Sequence, residues 1–143
     1  ELALAGAQHI RVVNRTVQRG EELAALINAK TAATAEFVAW NDHYVVPEDT
    51  TTLVDATSIG MGDATAAVQL DFASLRPDVV VADVIVSPPD THLIRTAREK
   101  GCTAIDGLGM VVNQARIAFK LWTGVEADPV VMRGALSEVI ADS

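Results

Sequence analysis

Two arginines near the start of the sequence are spaced to bind one anion. Arg15 and Arg19 lie four residues apart, so a helix would present both side chains on one face. The stretch from residue 2 to residue 20 contains no Asp or Glu, although the 143-residue chain carries a formal net charge of −8. Guanidinium groups bind phosphate oxygens through forked, charge-assisted hydrogen bonds. The pattern predicts a phosphate site, while Arg11, inside a predicted strand, is expected to be an ordinary surface arginine.

The elements around these arginines indicate which phosphate would bind. Residues His9–Asn14 are typical of a strand and residues 17–29 of a helix, with Thr16 as its N-cap. In dinucleotide-binding folds the second strand ends at the adenosine ribose, where an acidic side chain selects NAD. Here that place holds Asn14, Arg15 and Thr16, and no acid. The chemistry therefore favours the 2′-phosphate of NADP(H).

The rest of the chain alternates short β-branched runs with longer helical stretches. Such alternation, with nearly continuous apolar strands, predicts an α/β fold with a parallel sheet covered on both faces. The expected architecture is a Rossmann-like doubly wound sheet. Further strands are predicted at 31–40 (ending in a turn), Thr52–Asp55, 78–86 and 102–105. Helices are predicted at 91–100, at 108–122 and from Pro129 to about residue 141. Loops are predicted at 41–50 and 59–68.

Composition excludes several classes of protein. Half of the residues are hydrophobic and 21% are charged, which suits a folded domain rather than a disordered tail. An acidic chain argues against non-specific nucleic-acid binding, and no apolar run approaches the ~20 residues that cross a membrane. Cys102 has no partner for a disulfide, and His9 and His43 have no metal-ligand spacing. We expect no metal site, no nucleic-acid or membrane partner, and a soluble cytoplasmic protein.

Three ordered motifs resemble the shikimate dehydrogenase family. Residues 14–19 form N-R-T-x-x-R, followed by G-E-E-L-A. Residues 55–61, D-A-T-S-I-G-M, are similar to the family's N-A-T-S-x-G-M. Residues 106–110, D-G-L-G-M, precede Gln114 and the W-T-G at 122–124, which resembles D-G-x-x-M-L-x-x-Q-A and a W-T-G helix end. The resemblance implies NADP-dependent, reversible hydride transfer between nicotinamide and a hydroxylated cyclohexene or cyclohexane carboxylate.

The resemblance also implies a role for single residues. Thr57 and Ser58 would offer hydroxyls near the cofactor, or belong to a satisfied turn. Gly107 would let its backbone approach the nicotinamide, or simply start a helix. The other implied contacts are Asn14, Arg15, Thr16 and Arg19 at the 2′-phosphate, Val84 and Met110 beside the nicotinamide (Met110 alternatively in the core), and Gln114 at the substrate.

The sequence departs from the family pattern D-x-x-Y-x-P-x-x-T-P-L at residues 83–93. Val86 occupies the place of a tyrosine whose hydroxyl contacts substrate, and His92 replaces the second proline. Asp55 stands where Asn is usual. Because this hydroxyl is missing, the resemblance does not specify which substrate binds, and one alternative is a paralogue that acts on quinate. We expect His92 to be a surface residue at the start of a helix. The alternative is that it is a new ligand or catalytic group.

The resemblance implies a two-domain protein, of which residues 1–143 would be an NADP-binding domain that is incomplete at its N-terminus. The first strand, the glycine-rich phosphate turn and a substrate domain with the catalytic Lys and Asp would precede Glu1. No catalytic residue is assigned here, and the chain alone is expected to be inactive. The stretch before Gly6 is expected to be the last turn of a helix. A non-catalytic nucleotide-binding or regulatory module, a glutamyl-tRNA reductase-like protein and a homodimeric assembly remain alternatives.

Overall fold

A computed structural model describes residues 1–141 of the chain. It divides into a first unit, Glu1–Tyr44, and a second unit that begins at Val45. The predicted α/β fold with parallel strands is confirmed. Within the described residues, no helix is both long and apolar enough to span a membrane.

The first unit contains β1 (His9–Asn14), α1 (Val17–Lys30) and β2 (Thr34–Ala39). The two strands pair in parallel, from His9 opposite Thr34 to Asn14 opposite Ala39. Gly20 allows α1 to approach the sheet, because a Cβ there would lie 2.3 Å from the ring of Phe37. Before β1, a hydrogen-bonded turn ends at Gly6, whose φ of 105° favours glycine.

The second unit is built on a three-stranded parallel sheet in the order β4 (Thr52–Asp55), β6 (Val80–Asp83), β7 (Thr103–Ile105). Three helices follow the strands: α2 (His92–Glu99), α3 (Gly107–Thr123) and α4 (Pro129–Ala141). The short strands β3 (Tyr44–Val45) and β5 (Leu70–Asp71) lie outside this sheet. The core of the unit consists of side chains that are at most 5% exposed and includes Val79, Val81, Ile85, Leu93, Ile94, Ala97, Leu108 and Val112.

Polar caps fix the ends of the helices in this unit. Thr91 accepts a hydrogen bond from the backbone N–H of Ile94 at the start of α2, and Asp106 accepts one from Leu108 at the start of α3. Asp128 accepts one from Val130 at the start of α4, where aspartate is a favoured N-cap residue. Gly124 ends α3 in the left-handed conformation with φ 73°. These caps explain why the helix boundaries agree with the sequence prediction to within about one residue.

Two predictions for this unit need correction. The strand predicted at 78–86 is only four residues long, Val80–Asp83. It ends early because Asp83 accepts a hydrogen bond from the N–H of Ile85 and turns the chain. The loop predicted at 41–50 contains β3.

Candidate functional site

The predicted phosphate residues lie together at the point where β1 leads into α1 of the first unit. We call Asn14, Arg15, Thr16 and Arg19 the arginine cluster. Thr16 is the N-cap of α1 in an extended conformation, φ −90° and ψ 104°, but its side chain makes no capping hydrogen bond. Asn14 instead accepts a weak hydrogen bond, at 3.4 Å, from the backbone N–H of Thr16. The Thr16 hydroxyl and the first N–H groups of α1 are therefore donors that an anion can use.

The two arginines of the cluster carry uncompensated charge. Arg15 and Arg19 are exposed, and within residues 1–141 neither forms an ion pair. By contrast, Arg11 donates from Nε to Glu36 at 2.8 Å across the β1–β2 pair. The charge of Arg11 is thus balanced within the unit, as expected for an ordinary surface arginine. The remaining positive charge is concentrated at the strand end, where the donor set fits a phosphate dianion.

At the carboxyl end of the second unit's sheet, two buried aspartates lie side by side. Asp55 ends β4 and Asp83 ends β6, in register with each other, and they are 7% and 4% exposed. Asp83 accepts hydrogen bonds from the N–H of Ile85 at 2.9 Å and from the Thr91 hydroxyl at 2.6 Å. Asp55 accepts one from the N–H of Thr57 at 2.9 Å, whereas its Oδ2 has no partner among the described residues.

The surroundings of Asp55 disfavour its charged form. Burial is the largest effect and raises the pKa of Asp55, and the neighbouring charge of Asp83 adds to it. Hydrogen bonds from Thr57 oppose the shift without cancelling it. A carboxyl with a raised pKa at the end of a strand is a common property of functional sites.

The loop that follows β4 is held against the segment that follows β6. The N–H of Gly62 donates to the carbonyl of Ser87 at 3.0 Å, and Arg95 donates to the carbonyl of Ala64 at 2.6 Å. Thr57 is half-buried, and its hydroxyl accepts from the N–H of Ile59 at 3.1 Å, a contact that also suits the satisfied-turn interpretation. Ser58 is exposed. The loop thus has a fixed shape in which Ser58 is the more accessible of the two hydroxyls.

The start of α3 lies directly against the end of β6. A Cβ on Gly107 would be 2.3 Å from the carbonyl oxygen of Ile85 and 2.8 Å from that of Val84. Close packing of two backbones therefore requires glycine at this position, which gives a local reason for Gly107 that is independent of any cofactor. Val84 and Val86 are half-buried in the segment after β6.

Met110 and Gln114 follow on α3, and both are exposed, Met110 by 41%. Met110 is therefore not a core residue of this unit, contrary to the core alternative. Because Gln114 is exposed, its amide needs no hydrogen-bond partner within the protein. Both remain candidates for contacts with ligand.

Two contacts near these segments were missed by sequence reasoning. His92 is half-buried and packs edge-on against Phe72, with ring centroids 5.2 Å apart, so the expectation of a surface position is wrong. The reason is the short helix Phe72–Ser74 after β5, which no periodicity indicates. Asp106 forms an ion pair at 2.6 Å with Arg133 of α4, and the sequence carries no signal for it.

Parallel strands with helical crossovers and polar side chains at the strand ends define a Rossmann-like α/β domain. A family model described as the shikimate 5′-dehydrogenase C-terminal domain matches residues 107–136. The shikimate dehydrogenase (NADP(+)) of Alkaliphilus metalliredigens is 38% identical over 132 residues, which cover 87% of this chain and 45% of that protein. The chain belongs to the shikimate dehydrogenase family.

Solved structures extend the comparison. The ligand-free form of 5-ketofructose reductase from a Gluconobacter species is 48% identical and has a TM-score of 0.93, covering 96% of this chain and 50% of that one. Shikimate 5-dehydrogenase from Thermus thermophilus, in complex with NADP(H) and shikimate, is 30% identical with a TM-score of 0.77. It covers 96% of this chain and 48% of that one. The chain thus spans about half the length of the relatives that it matches.

Proposed function

We propose that this chain is the NADP-binding part of an oxidoreductase of the shikimate dehydrogenase family. The observation that carries the proposal is the arginine cluster at the end of β1, where Arg15 and Arg19 are exposed and lack ion-pair partners in the described part of the chain. The relative from A. metalliredigens is named as an NADP(+) enzyme, which agrees with this choice of cofactor. Bound NADPH would donate a hydride to the oxidised substrate, and bound NADP+ would accept one from the alcohol in the reverse direction.

Each candidate residue has a defined task in this proposal. Arg15 and Arg19 hold the adenosine 2′-phosphate by charge, and Asn14 and Thr16 add polar contacts at the same corner. Ser58 and Thr57 line the approach to the cofactor at the end of β4. Gly107, Val84 and Met110 form an apolar surface for the nicotinamide, and Gln114 binds a polar group of the substrate. Val86 faces the substrate in place of the family's tyrosine.

We further propose that residues 1–143 act together with a substrate domain that carries the catalytic groups. The relatives are about twice as long as this chain, since it covers 45% and 48% of two of them. The proposed roles of the described residues are binding and orientation. Proton transfer is assigned to the Lys and Asp that the family resemblance implies elsewhere in the protein.

A titration of the intact protein with NADP and with NAD tests the cofactor. Two guanidinium contacts to the 2′-phosphate should make NADP bind at least about tenfold more tightly, since hydrogen bonds to charged groups contribute roughly 1.5–3 kcal/mol each. The preference should fall as salt is added, because exposed charges are screened. Equal affinity for the two cofactors would contradict the 2′-phosphate site.

A second candidate substrate is a polyhydroxylated ketone of the 5-ketofructose type. Two observations favour it: the 48% identity to 5-ketofructose reductase, and Val86 in place of the tyrosine that contacts shikimate-type substrates in the family. The experiment compares NADPH oxidation with 5-ketofructose and with 3-dehydroshikimate, and NADP reduction with shikimate and quinate. Turnover of 5-ketofructose alone would assign the ketone substrate, and turnover of the ring carboxylates would assign the shikimate or quinate type.

A further inference from the structure

The two aspartates at the end of the second unit's sheet bring four carboxyl oxygens together in a buried location, and the described residues donate hydrogen bonds to only three of them. Asp55 and Asp83 are register partners on adjacent parallel strands, so their side chains leave the same face of the sheet. Both are more than nine-tenths buried. An ionised carboxylate can only accept hydrogen bonds, so two such groups side by side repel each other.

The donors around the pair are distributed unequally. Asp83 has one donor for each oxygen, the N–H of Ile85 and the hydroxyl of Thr91. Asp55 has the N–H of Thr57 on Oδ1, and nothing among the described residues donates to Oδ2. A buried, charged oxygen without a donor is costly, whereas a protonated oxygen becomes a donor itself.

We propose that Asp55 is protonated at Oδ2 in the folded protein under conditions in which ordinary aspartates are ionised, and that it donates this proton toward the carboxylate of Asp83. The pair then joins the ends of β4 and β6 with one shared proton. Asp55 is thus a positioning residue for the loop that begins with Thr57 and Ser58. The family motif usually has Asn at this place, whose amide can donate to the neighbouring carboxylate at every pH. The aspartate of this chain makes the same link conditional on pH.

The direction of the pH effect follows from the raised pKa of Asp55, which is caused first by burial and then by the charge of Asp83. The ionisable group that faces Asp55 from the adjacent strand is Asp83, and Thr57 supplies uncharged donors from its own loop. The proton on Asp55 stabilises the folded state fully at pH values below the pKa of an aspartate in the unfolded chain, roughly 3.9. This stabilisation is lost as the pH rises through the higher pKa of the folded state.

The first experiment measures the urea midpoint of unfolding from pH 4 to pH 9 for the intact protein and for Asp55→Asn. The difference between variant and wild type should be small at pH 4 and should shift progressively in favour of Asp55→Asn as the pH rises. Asp63→Asn is the matched control from the same loop. The pKa of Asp63 is lowered by its hydrogen bonds from Thr65, so this control should lose stability relative to wild type with rising pH. Parallel pH curves for wild type and Asp55→Asn would overturn the proposal.

A second measurement takes its main readout from the wild-type protein, and the variant only assigns the signal. Carbon-13 NMR of aspartate-labelled wild-type protein follows each carboxyl through its titration. One carboxyl should remain protonated after the exposed aspartates have ionised, and Asp55→Asn should remove that signal. If all aspartate carboxyls titrate together, Asp55 carries no retained proton and the proposal fails.

The consequence for cofactor binding rests on the proposed function, whereas the proton itself does not. If the loop after β4 contacts NADP, the Kd of wild-type protein for NADP should rise with pH more steeply than that of Asp55→Asn. If NMR shows the retained proton but the Kd values of wild type and Asp55→Asn change equally with pH, the proton is shared as proposed and has no role in NADP binding. Absence of NADP binding at any pH would instead contradict the proposed function.

Discussion

Arg11 and Arg15 lie four residues apart, but their surroundings give them different tasks. Arg11 is inside β1, where the parallel partner strand brings Glu36 within 2.8 Å of its Nε. Arg15 follows the strand, where the chain turns into α1 and no acidic side chain is close enough to form an ion pair within residues 1–141. A free guanidinium at a helix start is available to a ligand, whereas a paired one is occupied.

This difference predicts selective effects of two alanine substitutions on cofactor affinity. Arg15→Ala should weaken NADP binding about 10- to 100-fold and leave NAD binding nearly unchanged, because only NADP carries the 2′-phosphate. Arg11→Ala is the matched control and should change neither Kd by more than about twofold. Isothermal titration of both variants with both cofactors measures this. A similar loss for NAD and NADP in Arg15→Ala would mean that the arginine acts on something other than the 2′-phosphate.

The residues of the arginine cluster lie together because they are neighbours along the chain, and the sequence signal for them is a local absence of acids; their phosphate-binding role stays a prediction. Asp55 and Asp83 also belong to recognisable motifs. Their juxtaposition, however, depends on the register of two strands that are 28 positions apart along the chain, and a single sequence does not specify that register. Neither aspartate was predicted from the sequence as a site residue, and their juxtaposition was not predicted either.

At the scale of elements, glycine positions determine how closely a helix can approach its neighbours. In α1, a Cβ on Gly20 would overlap the ring of Phe37 at 2.3 Å. In α4, a Cβ on Gly134 would meet no atom of residues 1–141 beyond its own helix backbone within 4 Å. The same substitution should therefore have opposite effects in the two helices.

We expect Gly20→Ala to lower the free energy of unfolding by about 1–3 kcal/mol, because the added methyl overpacks the contact with β2. Gly134→Ala should raise it by about 0.5–1 kcal/mol through better helix propensity. Urea unfolding followed by far-UV circular dichroism provides the comparison. Combining Gly20→Ala with Phe37→Leu should restore part of the loss. Equal effects at both positions would show that propensity, not packing, determines the outcome.

The junction between β6 and α3 provides a stricter case, because the opposing atoms are backbone. Gly107→Ala would bring a methyl to 2.3 Å from the carbonyl oxygen of Ile85, which no side-chain rotation can relieve. We expect a loss of about 3 kcal/mol or more in the free energy of unfolding, at the upper end of overpacking effects. Gly109→Ala, whose Cβ would lie 3.8 Å from Arg133, is the control and should be tolerated. Thermal unfolding of both variants tests the pair, and a stable Gly107→Ala protein would contradict this packing argument.

Element boundaries were predictable where a side chain caps them and less so elsewhere. Thr91, Asp106 and Gly124 mark helix ends with residue types that have a physical reason to be there. The strand predicted at 78–86 was too long, because hydrophobic periodicity does not detect the turn that Asp83 makes with Ile85. The position of His92 depended on Phe72, which lies 20 positions earlier in a segment without regular pattern.

At the scale of the whole molecule, large apolar side chains lie exposed around the end of α3 and the start of α4. Leu121, Trp122 and Val130 are 79%, 83% and 77% exposed. Leu121 and Trp122 are neighbours at the end of α3, and large exposed apolar side chains that lie together often mark an interface. Relatives in the family are about twice as long as this chain, and we expect the substrate domain of the proposed two-domain protein to cover these side chains.

The double substitution Leu121→Ser with Trp122→Ser tests this expectation. In the 143-residue chain the free energy of unfolding should change by no more than about 0.5 kcal/mol, because neither side chain is buried there. Self-association, measured by sedimentation, should decrease. In a longer protein that carries the substrate domain, the same double substitution should instead destabilise by about 2 kcal/mol or more, since two large apolar side chains would lose buried contacts. In a Trp40→Phe background, Trp122 fluorescence offers an independent measure, because iodide should quench it in the short chain and not in the long one. An equally quenched Trp122 in both proteins would mean that this surface stays open and that the substrate domain lies against another face.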